Sequence, residues 1–88
     1  MLYMVRSASR VPWGMEKEVA RDLGDRQQAR TAELKEKGVL LHHWRAAAQH
    51  LSYAVYDVAS NTELHDVLMS LPLYPYSTAQ VVPLATPA

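Results

Sequence analysis

The order in which strand-like and helix-like segments follow one another constrains this chain more than any other feature. β-prone runs occupy residues 2–7, 39–47, 51–58 and 79–84, and helical spacing covers residues 15–37 and a second segment that follows Ser60. The order β-α-β-β-α-β predicts an α+β fold of the ferredoxin-like type. Two helices then pack on one face of a four-stranded antiparallel sheet, and 88 residues form one such domain.

Local signals predict where several of these elements begin and end. Gly38 stops the first helix, because glycine readily adopts the left-handed conformation at a helix end. Ser60 and Glu63 form a capping box, in which each side chain accepts a hydrogen bond from the other residue's backbone N–H. The prolines after Leu71 end the second helix. Residues 85–88 are expected to form a loose tail.

Composition argues against several classes of partner and site. Nine Lys and Arg balance nine Asp and Glu, so the chain has no net positive field for nucleic acid or an anionic membrane. The absence of cysteine removes disulfides, thiol nucleophiles and Cys-based zinc sites. No apolar run reaches membrane-spanning length, and the charged N-terminus does not resemble a signal peptide, so we expect a cytoplasmic protein.

The apolar content of the chain predicts self-association. Hydrophobic residues make up 49% of the sequence, which is high for a small domain with a large surface. The predicted sheet has one face without helices, and apolar positions on such a face must contact another subunit or a ligand. We therefore expect a homo-oligomer.

The first helix carries a polar interruption on its apolar face. Its stripe begins at Met15 and ends at Leu34, and Gln27 and Arg30 occupy positions within it. Polar groups that face a sheet are costly unless they are paired or face a cavity. Two interpretations remain open. The helix and the sheet enclose a cleft, or the end of the helix leaves the sheet for solvent or a subunit contact.

The run His42-His43-Trp44-Arg45 places several reactive groups on one strand. Alternation directs His42 and Trp44 to one face of the sheet, and His43 and Arg45 to the other. An arginine beside an aromatic ring can clamp a carboxylate, because its planar guanidinium offers paired donors. The alternative is that Arg45 pairs with an acid on the neighbouring strand, such as Asp57.

The histidines suggest acid–base chemistry more readily than metal binding. His42, His43, His50 and His65 show no helical pairing of the kind found in zinc enzymes, so the sequence predicts no metal site. A single histidine can donate or accept a proton near neutral pH. Each of the four can equally be a structural or surface residue.

The segment from Glu63 to Tyr76 carries a specific motif, Glu-Leu-His-Asp followed by Ser-Leu-Pro-Leu-Tyr-Pro-Tyr. Together with residues 1–6 and 42–45, it resembles the muconolactone isomerase family over nearly the whole chain. The resemblance implies a ferredoxin-like fold, a dimer-based assembly that can reach a decamer, and no cofactor or metal. It also implies a role in aromatic catabolism, in the β-ketoadipate pathway, where the ring double bond of muconolactone moves to give 3-oxoadipate enol-lactone.

Such an isomerisation has three chemical requirements. The γ proton of the unsaturated lactone leaves and a proton returns at the α carbon, so the site needs a proton carrier, donors for the dienolate oxygen and a cation for the carboxylate arm. Candidate catalytic residues are His42, His65, His50 and Gln27, and candidate substrate-binding residues are Arg45, Arg30, Trp44 and Tyr76.

The chain departs from the family pattern around the expected site. Relatives usually carry a carboxylate, the expected base, where this chain has Gln27, and a lysine where it has Gly24. His50 replaces a tyrosine, and residues 77–78 replace a Met-Asp pair. Glutamine cannot take up a proton at neutral pH. Another residue, such as His50, must therefore transfer the proton, or the substrate differs.

Three functions remain open on this basis. The first is isomerisation of muconolactone itself. The second is isomerisation or cyclisation of a different lactone or a polyketide-like acid in specialised metabolism. The third is non-catalytic binding of small acids by a pocket that has lost its base.

Overall fold

The computed structural model describes residues 1–86, within which four strands form one antiparallel sheet. The elements are β1 (Leu2–Ser9), α1 (Lys17–Glu36), β2 (Leu40–Arg45), β3 (Leu51–Asp57), α2 (Asn61–Met69), a short 3₁₀ helix (Tyr74–Tyr76) and β4 (Ser77–Leu84). The strands lie in the order β2-β3-β1-β4, and each neighbouring pair is antiparallel. This order confirms the predicted ferredoxin-like fold.

The hydrophobic core lies between the helices and one face of the sheet. Tyr3 and Val5 of β1 share that face with Tyr56 of β3, and all three are buried. Leu34 of α1 and Leu64 of α2 pack against them from the other side. Burying a side chain of this kind contributes about 1.5–3 kcal/mol, so these few contacts fix both helices on the same face.

The end of α1 follows the predicted glycine stop. Gly38 has a φ of 75°, and its N–H donates to the Lys35 carbonyl over 3.1 Å. The next N–H, from Val39, donates to the Leu34 carbonyl over 3.0 Å. These two bonds form a Schellman motif, which satisfies carbonyls that the helix itself leaves unpaired.

The start of α1 lies two residues later than predicted. Met15 belongs to the preceding loop, where its N–H donates to the Pro12 carbonyl over 3.2 Å. Val19 is 46% exposed, and Leu23 and Leu34 are the buried residues of the helix. The first turn of α1 therefore contributes little to the core.

The capping box of α2 forms with one changed partner. Ser60 Oγ accepts from the Glu63 N–H over 3.1 Å, as predicted. The Glu63 carboxylate accepts from the N–H of Ala59 over 2.6 Å, one residue before the predicted partner Ser60. The helix then ends at Met69, before the prolines.

A bulge in β2 determines which of its side chains face the helices. Leu40 pairs with Tyr56, but His42 pairs with Val55, so Leu41 is an extra residue in β2. Leu40 points into the core, and strict alternation from Leu40 would have directed His42 inward as well. The bulge reverses this and directs His43 to the helix side.

The face of the sheet opposite the helices has no cover from the described part of the chain. The rings of His42 and Trp44 lie on this face and stack with their centroids 5.2 Å apart. Trp44 is 53% exposed, and Val82 of β4 is 52% exposed. Of the predicted tail, residues 85 and 86 lie outside any strand, and residues 87–88 lie outside the described residues.

Candidate functional site

A cavity of about 60 Å³ lies between the helices and the sheet. Gln27 and Thr31 line it from α1, His43 from β2, Tyr56 from β3, and Tyr74 from the segment after α2. Of the two interpretations of the polar interruption in α1, the structure supports the cleft. Gln27 is half-buried and lines this space.

Hydroxyl groups from three strands complete the sheet side of this cavity. They belong to Ser7 and Ser9 of β1, Ser52 of β3 and Ser77 of β4. Because residues two apart on a strand share a face, the small polar residues toward one end of the sheet lie together. The sheet side of the cavity is therefore polar, because it lies beyond the part of the sheet that holds the core residues.

Gln27 has a structural role as well as a place in the cavity. Its side-chain oxygen accepts from the Leu73 N–H over 3.1 Å, and its backbone carbonyl accepts from the Thr31 hydroxyl over 2.7 Å. The first bond ties α1 to the segment after α2. The side-chain NH₂ of Gln27 makes no hydrogen bond to another residue in the part of the chain described, so it is the group that can donate to a ligand.

Arg30 lies beside the cavity and binds other side chains. Its Nε donates to Ser70 Oγ over 3.1 Å, and its guanidinium forms an ion pair with Glu33. Lys37 also binds Glu33, at 2.9 Å. The hydrogen bond and charge of Lys37, followed by the charge of Arg30, lower the pKa of the Glu33 carboxyl. Arg30 therefore joins α1 to the end of α2 and does not line the cavity.

His43 is the histidine that the fold brings to the cavity. His43 is exposed as a whole residue, but partial burial against the cavity lowers the pKa of its imidazole, and the positive charges of Lys35 and Arg45 lower it further. The ring is therefore neutral at neutral pH and can accept a proton. The sequence places His43 and His42 next to each other, and only the bulge at Leu41 distinguishes them.

Tyr56 contributes a second polar group that sequence reasoning missed. It is 5% exposed, and burial raises the pKa of its hydroxyl above the ordinary value of 10.0. The hydroxyl therefore stays protonated and available as a donor. The available signal was the alternation along β3, which places Ser52, Ala54 and Tyr56 on one face.

A larger, open groove of about 550 Å³ adjoins the cavity at the C-terminal end of β1 and the N-terminal end of β4. Arg10, His50 and Tyr76 line this groove. Ser9 and Ser77 line both spaces, and their hydroxyl oxygens lie 2.8 Å apart in a hydrogen bond. The groove thus brings together two of the residues predicted from the sequence, His50 and Tyr76, and adds Arg10.

The other predicted site residues lie apart from the two spaces. His42 and Trp44 stack on the opposite face of the sheet, and His65 is exposed on α2. Arg45 lies on the helix side of β2, close enough for its charge to act on His43.

The alternative pairing of Arg45 with Asp57 is wrong. Arg45 lies opposite Ser52, near the other end of β3. Asp57 instead binds the amino group of Met1 at 3.1 Å.

Within residues 1–86, no three His, Asp or Glu side chains are grouped so that they could hold a metal ion. None of the helices in this part of the chain is both long and apolar enough to cross a membrane.

The fold and the site define a small α+β protein of ferredoxin-like topology with a polar cavity between its helices and its sheet. The family model described as muconolactone delta-isomerase matches residues 1–88. The chain therefore belongs to the muconolactone delta-isomerase family, which confirms the resemblance carried by the motif from Glu63 to Tyr76.

Individual relatives match over nearly their whole length. The chain is 38% identical over 84 residues to Muconolactone Delta-isomerase 1 of Acinetobacter lwoffii, covering 96% of this chain and 88% of the relative. It is 36% identical over 85 residues to Muconolactone Delta-isomerase of Cupriavidus pinatubonensis, covering 97% and 92%. The crystal structure of a muconolactone isomerase at 3.3 Å resolution superposes with a TM-score of 0.92 at 35% identity, covering 98% of this chain and 90% of that one.

Proposed function

We propose that this protein is a cofactor-free isomerase that shifts the ring double bond of muconolactone, or of a close lactone, by a 1,3-proton transfer. The product from muconolactone is 3-oxoadipate enol-lactone, which places the protein in the β-ketoadipate pathway of aromatic catabolism, in the cytoplasm. The observation that carries the proposal is the polar cavity between α1 and the sheet. Family membership supports the choice of substrate.

The lining of the cavity supplies donors for the dienolate oxygen that forms during the reaction. Tyr56 is buried and its hydroxyl is protonated, and Gln27, whose NH₂ has no partner among the described residues, lines the same space. Donors that the fold already holds in position stabilise developing negative charge without having to reorganise during the reaction. Tyr56 and Gln27 therefore favour the anionic intermediate over the neutral substrate.

The carboxylate arm requires a cation and more room than the cavity offers. Ligand pockets usually have about 300–1,000 Å³, whereas the cavity has about 60 Å³. We therefore place the reacting edge of the ring in the cavity and the arm outside it. Two cations are available there: Arg45 beside His43, and Arg10 in the adjoining groove.

The direct test is an absorbance assay with purified protein and muconolactone. We expect conversion to the enol-lactone at a rate proportional to protein concentration and unchanged by a chelator. Absence of turnover at high protein concentration would remove muconolactone as the substrate. Assaying a panel of other unsaturated lactone acids in the same way would then identify the substrate class.

A second candidate function is isomerisation or cyclisation of a different lactone or polyketide-like acid. The observation that favours it is Gln27, an amide in the cavity at the position where relatives usually carry a carboxylate. Gln27→Glu has nearly the same shape, and its carboxylate can still accept from the Leu73 N–H. A gain of muconolactone turnover in this variant would indicate that the substrate specificity of the unaltered protein differs from that of its relatives.

We also propose that the working form is a homo-oligomer built from dimers, with a decamer as its candidate size. The support is the uncovered face of the sheet, where Trp44 and Val82 are about half exposed. Exposed aromatic and aliphatic side chains on one sheet face are typical of surfaces that become buried between subunits.

A further inference from the structure

We infer that His43 is the residue that carries the proton from the γ carbon to the α carbon of the lactone. This inference rests on the proposed function and names the proton carrier that Gln27 cannot be. It replaces His42, His50 and His65, which are the histidines that the sequence alone favours.

The first support is the position of the side chain. The bulge at Leu41 directs His43 to the helix side of β2, where it lies opposite Ala54 and shares the cavity with Gln27 and Tyr56. His42 points to the opposite face, and His65 lines neither the cavity nor the groove. His43 is therefore the histidine that can reach a ring held in the cavity.

The second support is the chemistry of the cavity lining. The described residues that line it are serine, threonine, glutamine, alanine, leucine and tyrosine, together with His43. Hydroxyl and amide groups of these kinds do not take up a proton from carbon near neutral pH. Imidazole does, because its ordinary pKa lies close to neutrality.

The third support is the charge around the imidazole. Lys35 on α1 and Arg45 on β2 are the cations whose charges act on it, and the titratable groups that share the cavity are Tyr56 and Tyr74. No carboxylate is among the described residues that line the cavity. Both cations favour the neutral imidazole before the reaction, and both favour the anionic dienolate once it forms.

The step balances without a further reactant. The lone pair of the imidazole nitrogen takes the γ proton, and the C–H electrons form a new double bond between the γ and β carbons. The electrons of the original double bond form a new double bond between the α carbon and the carbonyl carbon, and the π electrons of the carbonyl move onto its oxygen. This gives the dienolate and an imidazolium. When the dienolate reverts to the carbonyl, the α carbon takes the proton back from the imidazolium, and His43 is again neutral.

The test uses the full chain and the variant His43→Gln. We expect kcat/KM to fall by about 10²–10⁴-fold, as is usual for the loss of a general base. In the unaltered protein kcat/KM should decrease on acidification. The apparent pKa of this decrease should lie below 6.5, the ordinary value for histidine. His43→Gln should not show the decrease. A His43→Ala variant should recover part of its rate when imidazole is added, which a merely structural role would not produce.

Competing variants and a folding check make the result decisive. His42→Gln tests the neighbour on the other face, and a larger loss there than in His43→Gln would overturn the inference. Circular dichroism and thermal unfolding should match between the unaltered protein and His43→Gln. If that variant does not fold, His43→Asn takes its place.

A second readout separates this inference from the proposed function. Deuterium exchange at the γ carbon of a simple γ-methyl butenolide, an unsaturated lactone without the carboxylate arm, reports proton transfer without requiring muconolactone turnover. Exchange that disappears in His43→Gln supports the inference even if muconolactone is not the substrate. Exchange that persists in the variant, or no exchange by the unaltered protein, overturns it.

Discussion

At the scale of single residues, the candidate site depends on side chains whose protonation is set by their position. Tyr56 is buried and remains a donor because burial raises the pKa of its hydroxyl. Two residues earlier on the same face, Ala54 leaves space in front of His43, which it opposes across the ladder.

The hydroxyl of Tyr56 can be tested by Tyr56→Phe. We expect kcat to fall by about 10²-fold with a smaller change in KM, because a fixed donor acts mainly on the charged intermediate. The matched control is Tyr53→Phe, which removes a hydroxyl from the other face of the same strand, where Tyr53 lies opposite Trp44. Equal losses in the two variants would show that Tyr56 has no special role in the reaction.

The cation for the carboxylate arm can be identified by comparing Arg45→Gln with Arg10→Gln. The variant that removes the true partner should raise KM for muconolactone by about 10-fold or more, because the loss of a charged hydrogen bond costs roughly 1.5–3 kcal/mol. Steady-state kinetics at constant ionic strength provide the measurement. Unchanged KM in both variants would contradict the placement of the arm near either residue.

At the scale of secondary-structure elements, local signals in the sequence were sufficient for the end of α1 and the start of α2, and insufficient for the start of α1 and for β2. Gly38 and Ser60 act on their own backbone neighbourhoods, so their effects can be predicted without the rest of the fold. The bulge at Leu41 arises from the register between β2 and β3, which depends on packing across the sheet. The choice of His42 over His43 therefore could not be corrected from the sequence.

Gly38 and Gly24 offer a matched pair of stability measurements on α1. An added Cβ would meet no atom within 4 Å at either position, so backbone conformation decides the outcome. Gly38→Ala should lower the free energy of unfolding by about 1–2 kcal/mol, because φ is 75° there. Gly24→Ala should raise it by about 1 kcal/mol, because Gly24 lies inside the helix. Urea unfolding monitored by circular dichroism measures both, and shifts of the same sign would contradict this account.

At the scale of the whole molecule, the two faces of the sheet differ in what covers them. The helix side holds the core and the cavity, whereas the outer side presents apolar residues without a cover from the described chain. The prediction of four strands and two helices made this asymmetry visible from the sequence. The groove at the ends of β1 and β4 was not foreseen, because Arg10 and His50 come together only through the pairing of distant segments.

The outer face can be tested as a subunit interface with Trp44→Glu. Trp44 is 53% exposed and is held flat against His42, and rigid aromatic anchors of this kind contribute most of the energy of many interfaces. A buried carboxylate without a partner would be costly there, so we expect the variant to have a lower mass in light scattering or sedimentation. Gln28→Glu, on the exposed part of α1, adds the same charge away from this face and should leave the assembly intact. A monomeric unaltered protein at micromolar concentration would contradict the proposed oligomer, whereas an unaltered mass in Trp44→Glu would place the interface on another surface.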